Sequence, residues 1–304
     1  MSARRSSCSQ STIVARLRAA GCVFAEDEAR LLVSAARTDA ELAAMVERRT
    51  SGLPLEHVLG WAEFCGLRIA VGPGVFVPRR RTEFLVHQAV ALMRQAGVPA
   101  GRGRVWQPRV VVDLCCGSGA VGTALVAALG AVELYAVDVD PAAVSWARRN
   151  VTAVGGQVYE GDLYDPLPSM LQGRVDVLLA NAPYVPTEAV ALMPPEARLH
   201  EPRVALDGGV DGLDVLRRVS AGAPLWLAPG GHLLVETSER QAPRAVEAFT
   251  RHGLTTGVAS CEQLNATVVI GTKPVPDGVP GCEGCFPNDE CGGSASTSGP
   301  IDEP

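Results

Sequence analysis

The sequence RVVVDLCCGSGAVG, residues 109–122, joins an apolar run to a helical segment through a glycine-rich turn. Residues 110–114 are apolar apart from Asp113 and are predicted to form a buried strand, and residues 120–129 are predicted to form a helix. The glycines between them permit a tight turn and let a ligand approach the backbone closely. This order predicts the first unit of a nucleotide-binding α/β sheet.

Strands and helices continue to alternate along the chain after this turn. Apolar runs predict strands at residues 132–137, 175–180, 232–236 and 265–271, and helical spacing predicts helices at residues 141–151 and 213–221. Such alternation is typical of a mostly parallel sheet with helices on both faces. Ligands of these sheets bind at the carboxyl ends of the strands, so we expect the functional residues there.

Composition divides the chain into four regions. Residues 1–52 have apolar residues at helical spacing and are predicted to form a small helical domain. Residues 53–80, rich in glycine and proline, are predicted to form a hairpin-like connector to a larger domain at residues 81–273. Residues 274–304 carry few large apolar side chains, so we expect an acidic, disordered tail.

Charge and hydropathy narrow the class of protein. Six acidic residues after Lys273 account for the whole formal charge of −6, so residues 1–274 are neutral overall. A neutral body lacks the basic surface of a strong nucleic-acid binder, and we expect no stable nucleic-acid binding. The sequence has no apolar stretch of the roughly 20 residues that span a bilayer, and no secretory signal is recognised. We therefore expect a cytoplasmic protein with no membrane association.

Three aspartates suggest which cofactor the glycine turn holds. Asp138 follows the next strand and can accept hydrogen bonds from both ribose hydroxyls of an adenosine. Asp113 precedes the turn, where a carboxylate is unfavourable beside a pyrophosphate but favourable beside an ammonium or sulfonium group. Asp162 can accept from an adenine amino group. This set favours S-adenosylmethionine, although Gly117 to Gly122 also reads G-x-G-x-x-G, which keeps a dinucleotide cofactor open.

A second motif follows the strand at residues 175–180. It reads Asn181-Ala182-Pro183-Tyr184. The Asn side chain and the next carbonyl can accept hydrogen bonds, proline stiffens the backbone, and tyrosine offers a flat face. These properties predict a site for a planar amide or amine at the end of this strand.

Several segments in one order resemble the HemK-type protein N5-glutamine methyltransferases, which modify peptide chain release factors. The resemblance covers most of residues 11–273. It is carried by the glycine turn, the Asn181 motif and these further segments: Pro54 to Gly60, Glu63 to Leu67, Val77-Pro78-Arg79 with Thr82-Glu83, Ala136 to Asp138, Gly161 to Leu163, and His200 to Arg203 with Ala205 to Gly209.

The resemblance implies a fold, a substrate and a set of site residues. The fold is α/β: a Rossmann-like class I methyltransferase domain with a mostly parallel seven-stranded sheet, preceded by a small helical domain that binds the release factor. The substrate is a glutamine in the Gly-Gly-Gln loop of that factor. Asn181 and the Ala182 carbonyl would bind the glutamine amide, and Tyr184 would stack on it. The predicted substrate site is residues Asn181, Ala182, Pro183 and Tyr184; the predicted cofactor site is Asp113, Cys115, Cys116, Gly117, Ser118, Gly119, Asp138, Asp162, Leu163 and Asn181.

Two departures from the family pattern stand out. Ala182 replaces the first proline of Asn-Pro-Pro-Tyr, which keeps the carbonyl but removes local stiffness worth about 0.4–1 kcal/mol. Arg80-Arg81 replaces Pro-Glu, which changes the charge beside the predicted site.

Other functions remain open from the sequence alone. One is methylation of an exocyclic amine on a nucleic-acid base, which the neutral body disfavours. A nicotinamide-dependent oxidoreductase would use the G-x-G-x-x-G but leaves the Asn181 motif unexplained. A third is a cofactor-binding protein with weakened activity. Cys282, Cys285 and Cys291 do not complete a zinc-ligand set, so no metal site is predicted.

Overall fold

The computed structural model describes residues 9–95 and 108–276. Most of the acidic tail, including Cys282, Cys285 and Cys291, lies outside the described residues. The helices are α1 Gln10–Ala19, α2 Ala25–Ala35, α3 Asp39–Thr50, α4 Leu55–Leu59, α5 Glu83–Gln95, α6 Ala120–Leu129, α7 Pro141–Val151, α8 Pro195–His200, α9 Asp214–Trp226 and α10 Ala242–Arg251. The strands are β1 Trp61–Phe64, β2 Leu67–Ala70, β3 Arg109–Leu114, β4 Val132–Asp138, β5 Gln157–Glu160, β6 Val175–Ala180, β7 Leu227–Thr237, β8 Thr255–Cys261 and β9 Ala266–Thr272.

The N-terminal helices α1 to α4 pack around an apolar cluster of their own, in which Ile13, Leu17 and Leu32 are fully buried. A buried ion pair crosses this group, with Arg49 Nε donating to Glu28 Oε2 at 2.6 Å. Arg49 also approaches Glu196 of α8 at 3.4 Å. The helical group is therefore tied by charge to the segment that follows the Asn181 motif.

Residues 53–80 contain an antiparallel strand pair and a helix that the sequence prediction did not include. β1 and β2 pair antiparallel, with Trp61 opposite Ala70. The short helix α4 precedes them and ends at Gly60, whose φ of 83° is the left-handed conformation that glycine adopts without strain. Two glycine residues and a proline near this helix hide its single turn from periodicity analysis, because one turn offers too few apolar positions.

The main sheet has seven strands in the order β5-β4-β3-β6-β7-β9-β8. β3 to β7 are parallel, and β9 pairs antiparallel with both β7 and β8. Apolar residues on one face pack against α5, α6 and α7, and those on the other face pack against α9 and α10. The mostly parallel seven-stranded sheet predicted from the sequence is confirmed.

Strand β8 and helix α10 lie in a part of the chain for which the sequence analysis made no assignment. β8 alternates exposed and partly buried positions and contains Gly257, so it lacks the continuous apolar run of the central strands. It is one of the two edge strands of the sheet, and it pairs only with β9 among the described strands.

Asn150 joins the connector to the glycine turn. Its Nδ2 donates to Ala70 O at 2.9 Å and to Ser118 O at 2.8 Å, and its Oδ1 accepts from the Ala70 N–H at 2.9 Å. The side chain is buried, so these backbone groups have little access to water in its absence. The connector and the turn are thereby held at fixed positions by one amide.

We predict that Asn150→Leu lowers the free energy of unfolding by about 2–5 kcal/mol, because it leaves the buried Ser118 carbonyl and the partly buried Ala70 backbone groups without these partners. Chemical denaturation measures this change. Arg148→Ala, at an exposed position of the same helix, is the control and should change stability by less than about 0.5 kcal/mol. Equal effects of the two substitutions would contradict the role given to Asn150.

Candidate active site

A cavity of about 340 Å³ opens where the carboxyl ends of β3, β4 and β6 meet. Every residue predicted for the cofactor and substrate sites lines this cavity except Gly119, which begins helix α6 beside it. The structure therefore brings together side chains that the sequence separates by up to 71 positions, from Asp113 to Tyr184.

The glycine turn needs its glycines for two different reasons. Gly117 and Gly119 have φ values of 55° and 75°, which an L side chain rarely adopts. A Cβ on Gly119 would also lie 2.5 Å from Val151 Cγ2 of α7. At Gly122, a Cβ would lie 2.8 Å from Leu134 Cδ1 and 3.1 Å from Asp113 Oδ2. The third glycine of G-x-G-x-x-G thus serves the packing of α6 on the sheet.

Asp113 connects the end of β3 to the first turn of α6. Its Oδ2 accepts a hydrogen bond from the Gly122 N–H at 2.9 Å, and its residue exposure is only 1%. Burial raises the pKa of Asp113 to about 7, although the Gly122 hydrogen bond acts against the rise. Ionising Asp113 in this buried position costs free energy, so a cation bound in the cavity would stabilise the ionised carboxylate.

Asp138 holds the glycine turn against β4. Its Oδ2 accepts from the Gly117 N–H at 2.8 Å and its Oδ1 accepts from the Asp140 N–H at 2.9 Å. Burial raises the pKa of Asp138, and these two backbone donors oppose the rise. Each carboxylate oxygen retains a further lone pair, so the predicted acceptance of ribose hydroxyls is compatible with both bonds.

Asp162 lies two residues beyond the end of β5 rather than at the strand end itself. Its Oδ2 is 2.7 Å from Arg218 Nη2 of α9, and both residues line the cavity. The next residue, Leu163, has a φ of 49° and is buried against the wall. The predicted hydrogen bond from an adenine amino group to Asp162 stays a prediction.

The Asn181 motif lies at the end of β6, on the opposite side of the cavity from Asp138. Asn181 Nδ2 donates to Thr82 Oγ1 at 3.4 Å, and within the described parts of the chain its Oδ1 makes no hydrogen bond. The Tyr184 carbonyl accepts from Gln241 Nε2 at 2.9 Å, which fixes the motif at its far end. An amide oxygen is thus available at this position to accept an N–H from a ligand.

Arginine residues border the substrate side of the cavity. The guanidinium carbon of Arg81 lies 5.6 Å from the centre of the Tyr184 ring, within reach of a cation–π interaction. Arg79 makes two hydrogen bonds to the Glu201 carboxylate, at 2.7 and 2.6 Å. Burial raises the pKa of the Tyr184 phenol, and Arg81 opposes that rise.

The sequence analysis did not identify Thr82, Gln241 or Arg218 as parts of the site. Thr82 lies in the segment Val77 to Glu83, whose match to the family pattern was the available signal. Gln241 and Arg218 lie on or beside surface helices and carry no motif. Only the fold brings Gln241 to the Tyr184 carbonyl and Arg218 to the cavity.

Comparison with known proteins identifies the family. The family described as Methyltransferase small domain matches residues 104–209. A release factor glutamine methyltransferase from Geobacter sulfurreducens is 39% identical over 218 residues, which cover 70% of this chain and 72% of that protein. One from Mycolicibacterium smegmatis is 39% identical over 224 residues, which cover 72% and 74%. The chain belongs to the release factor glutamine methyltransferase family.

The relatives also include a methyltransferase with a different name. The 4-amino-L-phenylalanine/4-methylamino-L-phenylalanine methyltransferase of Streptomyces pristinaespiralis is 35% identical over 208 residues, which cover 68% of this chain and 69% of that protein. The solved protein-(glutamine-N5) methyltransferase from Alicyclobacillus acidocaldarius overlaps with 67% of this chain and 98% of that chain, at 22% identity and a TM-score of 0.39.

S-adenosylmethionine is the methyl donor of this family, and the residues present fit it. The glycine turn leaves room at Gly117, where a Cβ would meet nothing within 4 Å. Buried Asp113 and half-buried Asp138 carry carboxylates that suit a cation and hydroxyl donors. The dinucleotide reading of residues 117–122 is wrong, since the chain is a methyltransferase. Among the described residues no cluster of His, Cys, Asp and Glu could hold a metal ion, and no helix is long and apolar enough to cross a membrane.

We predict that Asp113→Asn stabilises the protein without cofactor at pH 8. The folded-state pKa of about 7 exceeds the unfolded value of 3.8, so ionised Asp113 costs stability as the pH rises through this range. Each pKa unit corresponds to about 1.4 kcal/mol, so the gain is up to about 4 kcal/mol at pH 8 and smaller at pH 5. Denaturation at both pH values measures it.

Exposed Asp165→Asn is the matched control and should show no such pH dependence. Asp113→Asn should also weaken S-adenosylmethionine binding in calorimetry, because the carboxylate that favours a cation is gone. A variant that is less stable than the parent at pH 8 would contradict this account of Asp113.

Proposed function

We propose that the enzyme methylates the N5 nitrogen of a glutamine side chain in the Gly-Gly-Gln loop of peptide chain release factors. The supporting observation is the position of Asn181. It lies at a strand end in the same cavity as the glycine turn, with its Nδ2 engaged by Thr82 and its Oδ1 without a partner among the described residues. A primary amide with two N–H groups is the complement of such an acceptor.

In this proposal two acceptors hold the glutamine amide. Asn181 Oδ1 takes one N–H and the Ala182 carbonyl takes the other, so that the nitrogen presents its lone pair to the methyl group. Both oxygens also stabilise positive charge as it develops on the nitrogen. The nitrogen forms the new bond to carbon while the sulfonium bond to that carbon breaks, so proximity and orientation supply most of the rate enhancement.

Tyr184 has a supporting role. Its ring stacks on the glutamine amide and offers a π face to the cationic region around the transferred methyl group, an interaction of about 0.5–2 kcal/mol. No strong base is needed before transfer, because the N–H proton becomes acidic once the nitrogen carries the methyl group and is then lost to water. Asp113, Asp138, Asp162, Leu163 and the turn residues Cys115, Cys116, Gly117, Ser118 and Gly119 are proposed to hold the cofactor.

The four-region division of the chain is part of the same proposal. Residues 1–52 would recognise the release factor, the connector at 53–80 would place them beside the catalytic domain at 81–273, and the tail at 274–304 would stay outside both. Val23 and Phe24 are 83% and 68% exposed at the start of α2, which gives this helical group an apolar contact surface. A release factor substrate places the reaction in the cytoplasm.

We predict that Asn181→Ala abolishes methyl transfer while S-adenosylmethionine binding weakens far less. Mass spectrometry of release factors incubated with enzyme and cofactor reads out methylation at the Gly-Gly-Gln glutamine, and calorimetry reads out cofactor binding. Gln157→Ala, at an exposed position of β5, is the control and should leave transfer unchanged.

Surviving transfer in Asn181→Ala would show that this residue does not hold the amide. The same assay includes 4-amino-L-phenylalanine as a competing acceptor. Methylation of that amine with an unmodified release factor would replace the proposed substrate by an aromatic amine.

We further predict that Ala182→Pro keeps or raises the transfer rate by up to about fivefold. Within the described residues the Ala182 N–H makes no hydrogen bond that proline would remove. Stiffening the motif is worth about 0.4–1 kcal/mol, which corresponds to a factor of about 2–5. A loss of more than tenfold, measured in the same assay, would show that Ala182 has a conformation that proline cannot adopt.

A further inference from the structure

A buried carboxylate lies directly behind the Asn181 motif. Glu236 is on β7, which pairs in parallel with β6 so that Val235 lies opposite Ala180. The register therefore places Glu236 level with Asn181. Glu236 is 3% exposed, and within the described residues its Oε2 makes no hydrogen bond. Because an isolated buried carboxylate is costly, its immediate neighbours indicate what it does.

Two residues separate Glu236 from the cavity. Arg81 Nε is 3.2 Å from Glu236 Oε1, and the next residue in the chain, Thr82, is buried. Burial raises the pKa of Glu236, and Thr82 and Arg81 both oppose that rise. Arg81 and Thr82 line the cavity, whereas Glu236 is not one of its lining residues. Glu236 therefore acts on the cavity through these two side chains.

Each of the two side chains contacts one member of the motif. Arg81 extends over the Tyr184 ring, and Thr82 Oγ1 accepts the hydrogen bond from Asn181 Nδ2. A hydroxyl has a single proton and two lone pairs. If that proton is directed to the Glu236 carboxylate, Thr82 can meet Asn181 only as an acceptor. The Asn181 amide must then turn its NH2 group toward Thr82 and its oxygen toward the cavity.

We propose that Glu236 is a positioning residue that fixes the Asn181 amide through Thr82 and the Tyr184 ring through Arg81. The inference rests on the proposed function, since it assigns a role to the orientation of the same acceptor site. Arg81 stands where the family pattern has an acidic residue. In this chain the ion pair between Arg81 and Glu236 therefore positions the Tyr184 ring. An inverted Asn181 amide would present N–H groups to the glutamine N–H groups, and the two would repel.

The first test compares isosteric substitutions at Thr82. We expect Thr82→Val to lower kcat for the release factor glutamine at least tenfold, with KM and the Kd of S-adenosylmethionine changing less than about threefold. Thr82→Ser, which keeps the hydroxyl, should recover at least half of the parent kcat. Thr237→Val is the matched control, since Thr237 is the buried residue next to Glu236 on β7 and its Oγ1 has no partner in the described chain. It should keep the parent kcat.

The second test is a double-variant cycle between Thr82 and Glu236. Glu236→Gln should lower kcat at least tenfold, because its amide can donate to Thr82 and reverse the hydroxyl. The double variant with Thr82→Val should be no slower than the slower single variant, since both act through one hydrogen-bond chain. If the kcat losses of the two single variants multiply in the double variant, Thr82 and Glu236 act independently and the proposed coupling between them is wrong.

A third test needs no methyl acceptor. The chain has four asparagines, so 15N-asparagine labelling gives few side-chain amide signals, and the Asn181 signal is assigned by its disappearance in Asn181→Ser. Thr82→Val and Glu236→Gln should each shift this signal and speed its hydrogen exchange, while Thr237→Val should not. An Asn181 signal unchanged in both variants overturns the proposal.

These experiments distinguish a failure of the proposed glutamine methylation from a failure of the positioning role of Glu236. A parent enzyme that methylates no glutamine overturns the proposed function, and the asparagine signals still decide whether Glu236 and Thr82 orient Asn181. A parent enzyme that methylates glutamine, with Thr82→Val as active as Thr237→Val, overturns the positioning role alone.

Discussion

Parallel pairing of β3 with β4 and β6 is the constraint on which the site depends. Because these strands run in one direction, their carboxyl ends meet at one edge, and Asp113, Asp138 and Asn181 meet there with them. None of these residues could reach the others through local structure, since 68 positions separate the first from the last. The helices then fix the edge, with α6 donating its Gly122 N–H to Asp113 and α7 holding the glycine turn through Asn150.

Several carboxyl groups at the carboxyl ends of these strands are removed from water, which costs folding free energy when they ionise. Burial raises the pKa of Asp113, Asp138 and Glu236, and each is only partly compensated by backbone donors or a neighbouring cation. A stable core alone would favour apolar residues at these positions. Their presence is the expected mark of a binding site, and in the proposed function they would face a cationic methyl donor and orient the acceptor.

The two departures from the family pattern, Ala182 and Arg81, affect the structure in different ways. Ala182 changes only the stiffness of the motif, because the group that faces the proposed substrate is a carbonyl common to every residue. Arg81 changes an interaction, because its side chain forms an ion pair with Glu236 and lies over Tyr184. The second departure therefore alters the surroundings of the acceptor site, whereas the first alters how rigidly the site is held.

The amino-acid sequence by itself determined the central α/β pattern, the glycine turn and the Asn181 motif, since each depends on periodicity or on residue types within a few positions. Helix α4 and strand β8 were beyond it, because a single turn and an edge strand carry little periodic signal. Helix α10 does carry such a signal, since its buried residues Ala245, Ala248 and Phe249 stand at helical spacing, although the sequence analysis made no assignment there. The tertiary structure alone decided that Thr82, Gln241 and Glu236 lie beside the Asn181 motif and that Arg218 lies beside Asp162. Their contacts join segments far apart in the chain, and such contacts are set by the register of the strands and the packing of the helices.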